Sequence, residues 1–199
     1  TVGRAELKFT KAEPGYVELS GGGALGPAVC NVDAFAEYDG WYQVRLTVEP
    51  ARGPVTFDRL SVRIPLWAAA DTIYAQRFGD GRRGNKFGDL PAGSGRVWHS
   101  GKLLPIAGDW GSFCPIVFLG NGDKGLWWFA EDARAWTLSD DLPAIEVFRT
   151  DDGVELRLNV FAGKTMLNGP RTVEFAFLVD PVKAIPDRRR WEWGVNEYA

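Results

Sequence analysis

Two adjacent tryptophans, Trp127 and Trp128, constrain this chain more than any other feature. They sit in the stretch Pro115 to Trp136, PIVFLGNGDKGLWWFAEDARAW. An apolar run, Pro115 to Leu119, is followed by Gly120-Asn121-Gly122-Asp123 and then by a second apolar run, Leu126 to Ala130. Asn-Gly between two such runs is a strong hairpin signal, because both residues tolerate positive φ. Neighbouring residues of a strand point to opposite faces of the sheet, so the two tryptophans cannot share one apolar surface. The hairpin is therefore expected at the centre of the fold, with a core or a partner against each face.

Period-two patterns recur along the rest of the chain. Ala5, Leu7 and Phe9 alternate with charged residues and predict a half-buried strand, turned at Pro14-Gly15 and paired back by Tyr16 to Leu19. Ser20 to Gly23 interrupts the pattern. Ala28 to Tyr38 reads as a longer extended run closed by Asp39-Gly40. Tyr42 to Val48, Leu60 to Ile64, Ile145 to Val147, Val154 to Val160 and Val173 to Val179 alternate in the same way, with turns at Asp151-Asp152-Gly153 and Asn168-Gly169-Pro170. No segment keeps a period of 3.6 over three turns; Glu131 to Leu138 offers one helical turn at most. The expectation is an all-β chain, a two-sheet antiparallel β-sandwich over residues 1–186, with 187–199 a linker or the start of a following domain. A long irregular loop is expected around 79–112. It is rich in glycine but contains Trp98, His99 and Trp110. Loops of that length in a compact domain are usually functional or disordered, and the tryptophans argue for packing.

Composition narrows the partners. The chain has 199 residues, 45% of them apolar, and a net charge of −3. It can bury an ordinary core and gives no reason to expect nucleic acid or an anionic membrane surface. No apolar run reaches the roughly 18 residues of a membrane-spanning helix. The opening TVGRAELKF, without an initiating methionine, and the ending DRRRWEWGVNEYA read as pieces of a larger polypeptide. Cys30 and Cys114 are either two buried free thiols or, if folding brings their Cα atoms within about 7 Å, a bridge. With one histidine, His99, a His-rich zinc site is excluded, and no cofactor is expected.

Chemistry is less legible. The carboxylate pairs Asp140-Asp141 and Asp151-Asp152 sit beside turn residues, where aspartate accepts backbone N–H bonds. Glu131-Asp132, after the Trp127-Trp128 strand, is a better placed pair, yet it too reads more simply as a loop anchor. No G-x-S-x-G elbow accompanies His99, and GDGRRG at 79–84 lacks the phosphate-loop pattern. The aromatics say more. Trp67, Trp98, Trp110 and Trp136 lie near loops or strand ends, with Arg82, Arg83, Arg96, Asp109 and Arg134 close by in sequence. A pyranose has a flat C–H face that packs on an aromatic ring, and hydroxyls that bond to Arg, Asn and Asp. Trp98, Trp110, Arg82, Arg83, His99 and Asp109 are the candidate carbohydrate-binding residues; the simpler reading is that large aromatics fill a β core or an interdomain face.

Leu60 to Leu66, Leu119-Gly120-Asn121, Gly125-Leu126, Trp128-Phe129-Ala130-Glu131, Trp136, Arg171-Thr172 and Pro181-Val182-Lys183 together resemble the β-sandwich region that precedes the catalytic barrel in family-123-type glycoside hydrolases and their uncharacterised relatives. The resemblance spans most of 55–186. It implies a non-catalytic module of a glycoside hydrolase-like, carbohydrate-active protein, secreted or periplasmic, packed on a catalytic domain of the same parent chain, with the 79–112 loop in a position to contribute to the substrate-site rim. In that family the catalytic Asp-Glu pair lies on the barrel, so the resemblance assigns no catalytic residue here. Two other readings stand beside it: an independent carbohydrate-binding module using Trp98 and Trp110, and a small polysaccharide-cleaving enzyme using Arg82, Lys86 and His99.

Overall fold

The structure, a computed structural model, describes residues 6–66, 70–76, 85–103, 111–121 and 123–180. Its strands, in chain order, are β1 (Glu6–Glu13), β2 (Tyr16–Leu25), β3 (Ala28–Glu37), β4 (Trp41–Pro50), β5 (Val55–Phe57), β6 (Leu60–Leu66), β7 (Thr72–Gln76), β8 (Asn85–Asp89), β9 (Gly95–His99), β10 (Ile116–Gly120), β11 (Gly125–Phe129), β12 (Ile145–Thr150), β13 (Gly153–Phe161), β14 (Thr165–Leu167) and β15 (Arg171–Asp180). The helical content of the described residues is one 3-10 turn, Ser100–Lys102. The all-β reading holds.

The two layers are unequal. A nine-stranded antiparallel sheet runs in the order β1-β2-β3-β4-β15-β11-β10-β7-β8, and a four-stranded antiparallel sheet in the order β6-β13-β12-β9. A two-stranded ribbon joins β14 to β5. The core lies between the layers. Val44, Leu46, Val48, Ile73, Ala75, Val117, Leu119, Trp128, Val173, Phe175 and Phe177 enter it from the large sheet. Val147, Val154, Leu156, Leu158 and Val160 enter from the small one. Phe113, Trp128 and Trp136 form an edge-to-face triad there, with ring centroids 5.1–6.1 Å apart. Trp128 is wholly buried, and its indole N–H has no acceptor among the described residues.

Turn chemistry sets the hairpins. Gly15 and Gly40 hold φ of 81° and 87°, conformations that admit glycine at no steric cost, and they close β1–β2 and β3–β4. Between β10 and β11 the Asn121 side-chain oxygen accepts the backbone N–H groups of Asp123 and Lys124, which closes the Asn-Gly hairpin.

Four expectations need correction. β1 is exposed along its length rather than half-buried, because it is the edge of the large sheet and lies beyond the cover of the small one. The Ser20 to Gly23 interruption is a continuation of β2: a side chain at Gly21 would fall closer than 3.0 Å to the Glu6 backbone, so glycine is what the close approach of β1 requires. The stretch 79–112 is not one irregular loop, since it carries β8, β9 and the 3-10 turn. The β10–β11 hairpin is central, but among the described residues only its Trp128 face is covered by a second layer. Cys30 and Cys114 are buried thiols that do not bridge to each other.

Candidate functional site

The uncovered face of the large sheet carries an aromatic row. Across its strands, Trp41 lies opposite Leu178, Leu178 opposite Trp127, Trp127 opposite Phe118, Phe118 opposite Tyr74, and Tyr74 opposite Phe87. Their neighbours in sequence, Tyr42, Phe177, Trp128, Val117 and Ala75, pack into or against the core, so strand alternation sends these six residues outward. Six strands at about 4.8 Å spacing make the row about 24 Å long. Ring contacts link it: Tyr74 meets Phe87 at 6.4 Å and Trp127 at 5.7 Å, and Phe118 meets Trp127 at 4.9 Å. Phe129, one step along β11, stacks between Trp127 at 5.9 Å and Trp41 at 5.8 Å. Trp41, Tyr74, Phe118 and Trp127 are half-buried and Phe87 is 77% exposed. A sheet face left to water normally alternates toward polar residues. An apolar row across six strands is the kind of surface that marks a binding site.

Glycine shapes its floor. Gly120 and Gly125 face each other beside the row. A side chain at either would fall closer than 3.0 Å to ring atoms of Phe118. The Phe118 ring therefore lies down over both glycines, and only a residue without Cβ permits that pose. Polar groups fringe the row on both sides. Thr72 and the exposed Asp89 are paired on the glycine side; Gln43 and Gln76 lie on the other, where the Tyr74 hydroxyl bonds to Gln76.

A second constellation occupies the outward face of the small sheet. Glu146, on β12, is 2% exposed. Arg96 donates to its Oε1 at 2.9 Å; Arg59, at 3.2 Å, and Asn159 Nδ2, at 2.9 Å, donate to its Oε2. Asn159 accepts from Arg59 and from Ser61, each at 2.7 Å, and donates to the Pro143 carbonyl. Burial pushes the Glu146 carboxyl upward, but the Asn159 and Arg96 hydrogen bonds and the charges of Arg59 and Arg96 outweigh it and hold the group below its ordinary value. His99 lies opposite Glu146 on β9. Burial lowers its pKa, helped by Arg96 and Lys102 and opposed by Glu146, and its Nδ1 is buried without a partner among the described residues. Among the described residues no group of three or more His, Cys, Asp or Glu side chains gathers in a way that could hold a metal ion.

The residues singled out from sequence are not brought together. Trp98 is 2% exposed on β9 and belongs to the core, so its ring has no open face for a sugar. His99 lies next to it on the opposite, outward side of β9. Arg82, Arg83, Asp109 and Trp110 lie outside the described residues, as does Trp67. Trp136 is in the core triad. Asp132 anchors its own loop through the N–H and guanidinium of Arg134, in line with the simpler reading of Glu131-Asp132. The aromatic row itself was missed. Its only sequence signal is the face opposite Trp128; that Trp41, Tyr74, Phe87 and Phe118 line up with Trp127 is a consequence of register.

No family model and no curated protein matches the chain. Among solved structures, a galactose mutarotase related enzyme from Lactobacillus acidophilus is similar at a TM-score of 0.41 and 7% identity, over 89% of this chain and 72% of that one. A likeness of that size carries no argument about what this chain does.

Proposed function

We propose that this chain is a non-catalytic β-sandwich module of a carbohydrate-active protein, glycoside hydrolase-like in its parent, and that the Trp41–Phe87 row is its sugar-facing surface. The row carries the proposal. Pyranose rings have apolar faces for Phe118, Trp127 and Tyr74, and their hydroxyls need the kind of donors and acceptors that Gln43, Gln76, Thr72 and Asp89 supply along both margins. The resemblance of residues 55–186 to the sandwich of family-123-type glycoside hydrolases supports the same substrate class. We assign no catalytic residue: Glu146, the best buried carboxylate, has both oxygens taken up by Arg59, Arg96 and Asn159. The test is oligosaccharide binding to the isolated chain. Binding that weakens at least tenfold in Trp127→Ala and Tyr74→Ala supports the assignment; a glycan panel with no binder, or binding indifferent to both substitutions, refutes it.

One observation favours a second reading, in which the row packs against a catalytic barrel of the same parent. Trp41, Phe129 and Trp127 are stacked on one another, so part of their ring area is already used within the row. A docking surface would leave the isolated chain self-associating in a manner that Trp127→Ser suppresses.

A further inference from the structure

The outward face of the small sheet is positively charged in a protein whose net charge is −3. Across β9, β12, β13 and β6, His99, Glu146, Arg157 and Arg63 stand in register, with Arg157 directly opposite Arg63. Like charges facing each other across strands are unfavourable. Arg157 is compensated by Glu155 and lies over the Phe148 ring. Arg59 and Arg96 share the single carboxylate of Glu146. Arg63 has no ion pair or hydrogen bond among the described residues.

Arg59 and Arg63 line one groove, of about 740 Å³, between the β2–β3 turn and the start of β6. Its other walls include Pro27, Phe57, Leu60 and Ser61. Arg59 is held in place: its Nε donates to Ser61 at 2.8 Å, and one terminal nitrogen donates to both Asn159 and Glu146. A guanidinium fixed by three acceptors is held in place, and its other terminal nitrogen keeps two N–H donors directed at an incoming carboxylate without further entropic cost. The groove thus offers one immobilised and one uncommitted arginine beside an apolar wall of Pro27, Phe57 and Leu60.

We infer that this groove binds the carboxylate of an acidic sugar, a uronic acid unit, through Arg59 and Arg63, with the sugar's C–H face against Phe57 and Leu60. That the carboxylate is carried by a sugar rests on the proposed function; the anion site rests on the arginines. The groove shares no lining residue with the aromatic row, so the two sites can be separated by mutation.

The experiment is titration of the chain with a uronic-acid oligosaccharide, the methyl ester of the same oligosaccharide, and inorganic phosphate, at low and physiological salt. The acid is expected to bind at least tenfold more tightly than its neutral ester, with affinity that falls as salt rises. Arg63→Gln is expected to abolish that preference without lowering the melting temperature, because it removes a like-charge neighbour of Arg157 and no bond. Arg59→Lys, which keeps a positive charge beside Glu146 but loses the anchored terminal nitrogen that faces the groove, should reduce the preference as well. Equal binding of acid and ester overturns the inference and leaves the proposed function standing. Arginine-dependent binding of phosphate without the oligosaccharide overturns it too, and no binding of any oligosaccharide overturns both readings.

Discussion

Replacing each of the adjacent tryptophans by alanine separates the two faces of the central hairpin. Trp128 is 0% exposed and meets Phe113 and Trp136 edge-to-face, both at 6.1 Å. Truncating a fully buried aromatic costs about 3–5 kcal/mol, through lost transfer free energy and the cavity left behind. The loss for Trp128→Ala is therefore about 3–5 kcal/mol, and at about 2–4 °C per kcal/mol for a chain of this size the melting temperature should fall by about 6–20 °C. Trp127 is half-buried and meets Tyr74, Phe118 and Phe129 on the outer face of the sheet. Aromatic pairs contribute about 0.5–1.5 kcal/mol each, less at a wet surface, so Trp127→Ala should cost about 1–2 kcal/mol. Thermal unfolding followed by circular dichroism reads both variants, and glycan titration reads the second. Trp127→Ala destabilising as much as Trp128→Ala would refute the assignment of the outer face to solvent and ligand.

Three further outcomes follow from the geometry. Gly125→Ala places a methyl inside the ring of Phe118, which must lift off the sheet; about 1–3 kcal/mol of destabilisation is expected by urea titration, along with weaker glycan binding. Glu146 is held below its ordinary value of 4.5, so its contribution is present above that pH and is lost as pH falls through the lower folded value; the wild-type melting temperature should drop there more steeply than that of Glu146→Gln, which at pH 7 should itself be destabilised by about 1–3 kcal/mol. His99 is depressed from 6.5, so the unfolded chain takes up its proton first and stability declines as pH falls below 6.5; His99→Gln should flatten the melting-temperature profile just below that pH.

What the sequence disclosed and what it withheld divide along a physical line. Hairpins are local: Gly15, Gly40 and Asn121 reveal their turns because positive φ and side-chain-to-backbone bonds are properties of a few contiguous residues. The long alternating strands β4, β13 and β15 are legible for the same reason, since one buried face imprints period two. β8 and β9 were hidden within 79–112 because each has five residues and little alternation: β8 is an edge strand, and β9 buries Val97 and Trp98 in succession. Trp98 looked like a loop aromatic and is a core one. The aromatic row depends on pairings between residues as distant in sequence as Trp41 and Leu178, and no local pattern encodes register between such strands. The Glu146 cluster is similar: Arg59, Arg96 and Asn159 come from three segments and become neighbours only when β6, β13, β12 and β9 line up.

Among the described residues, a nine-stranded layer over a four-stranded one leaves apolar surface uncovered in two places, and the contrast between them bears on function. At the β1 end, Leu7 and Phe9 are 53% and 70% exposed. That end is guarded against pairing with other chains: Lys8 and Lys11 flank the apolar residues, and the ladder slips by one residue between Phe9 and Lys11, which bends the edge strand. The Trp41–Phe87 row has no such guard within it, since every position from β4 to β8 is aromatic or leucine. Its polar residues lie at the margins, where they frame the row without interrupting it. A surface that only needed to stay soluble would place lysine or glutamate among those six positions, as β1 does. Trp127→Lys makes the distinction measurable: improved solubility with intact folding and lost ligand binding is the outcome expected of a surface kept apolar for a partner.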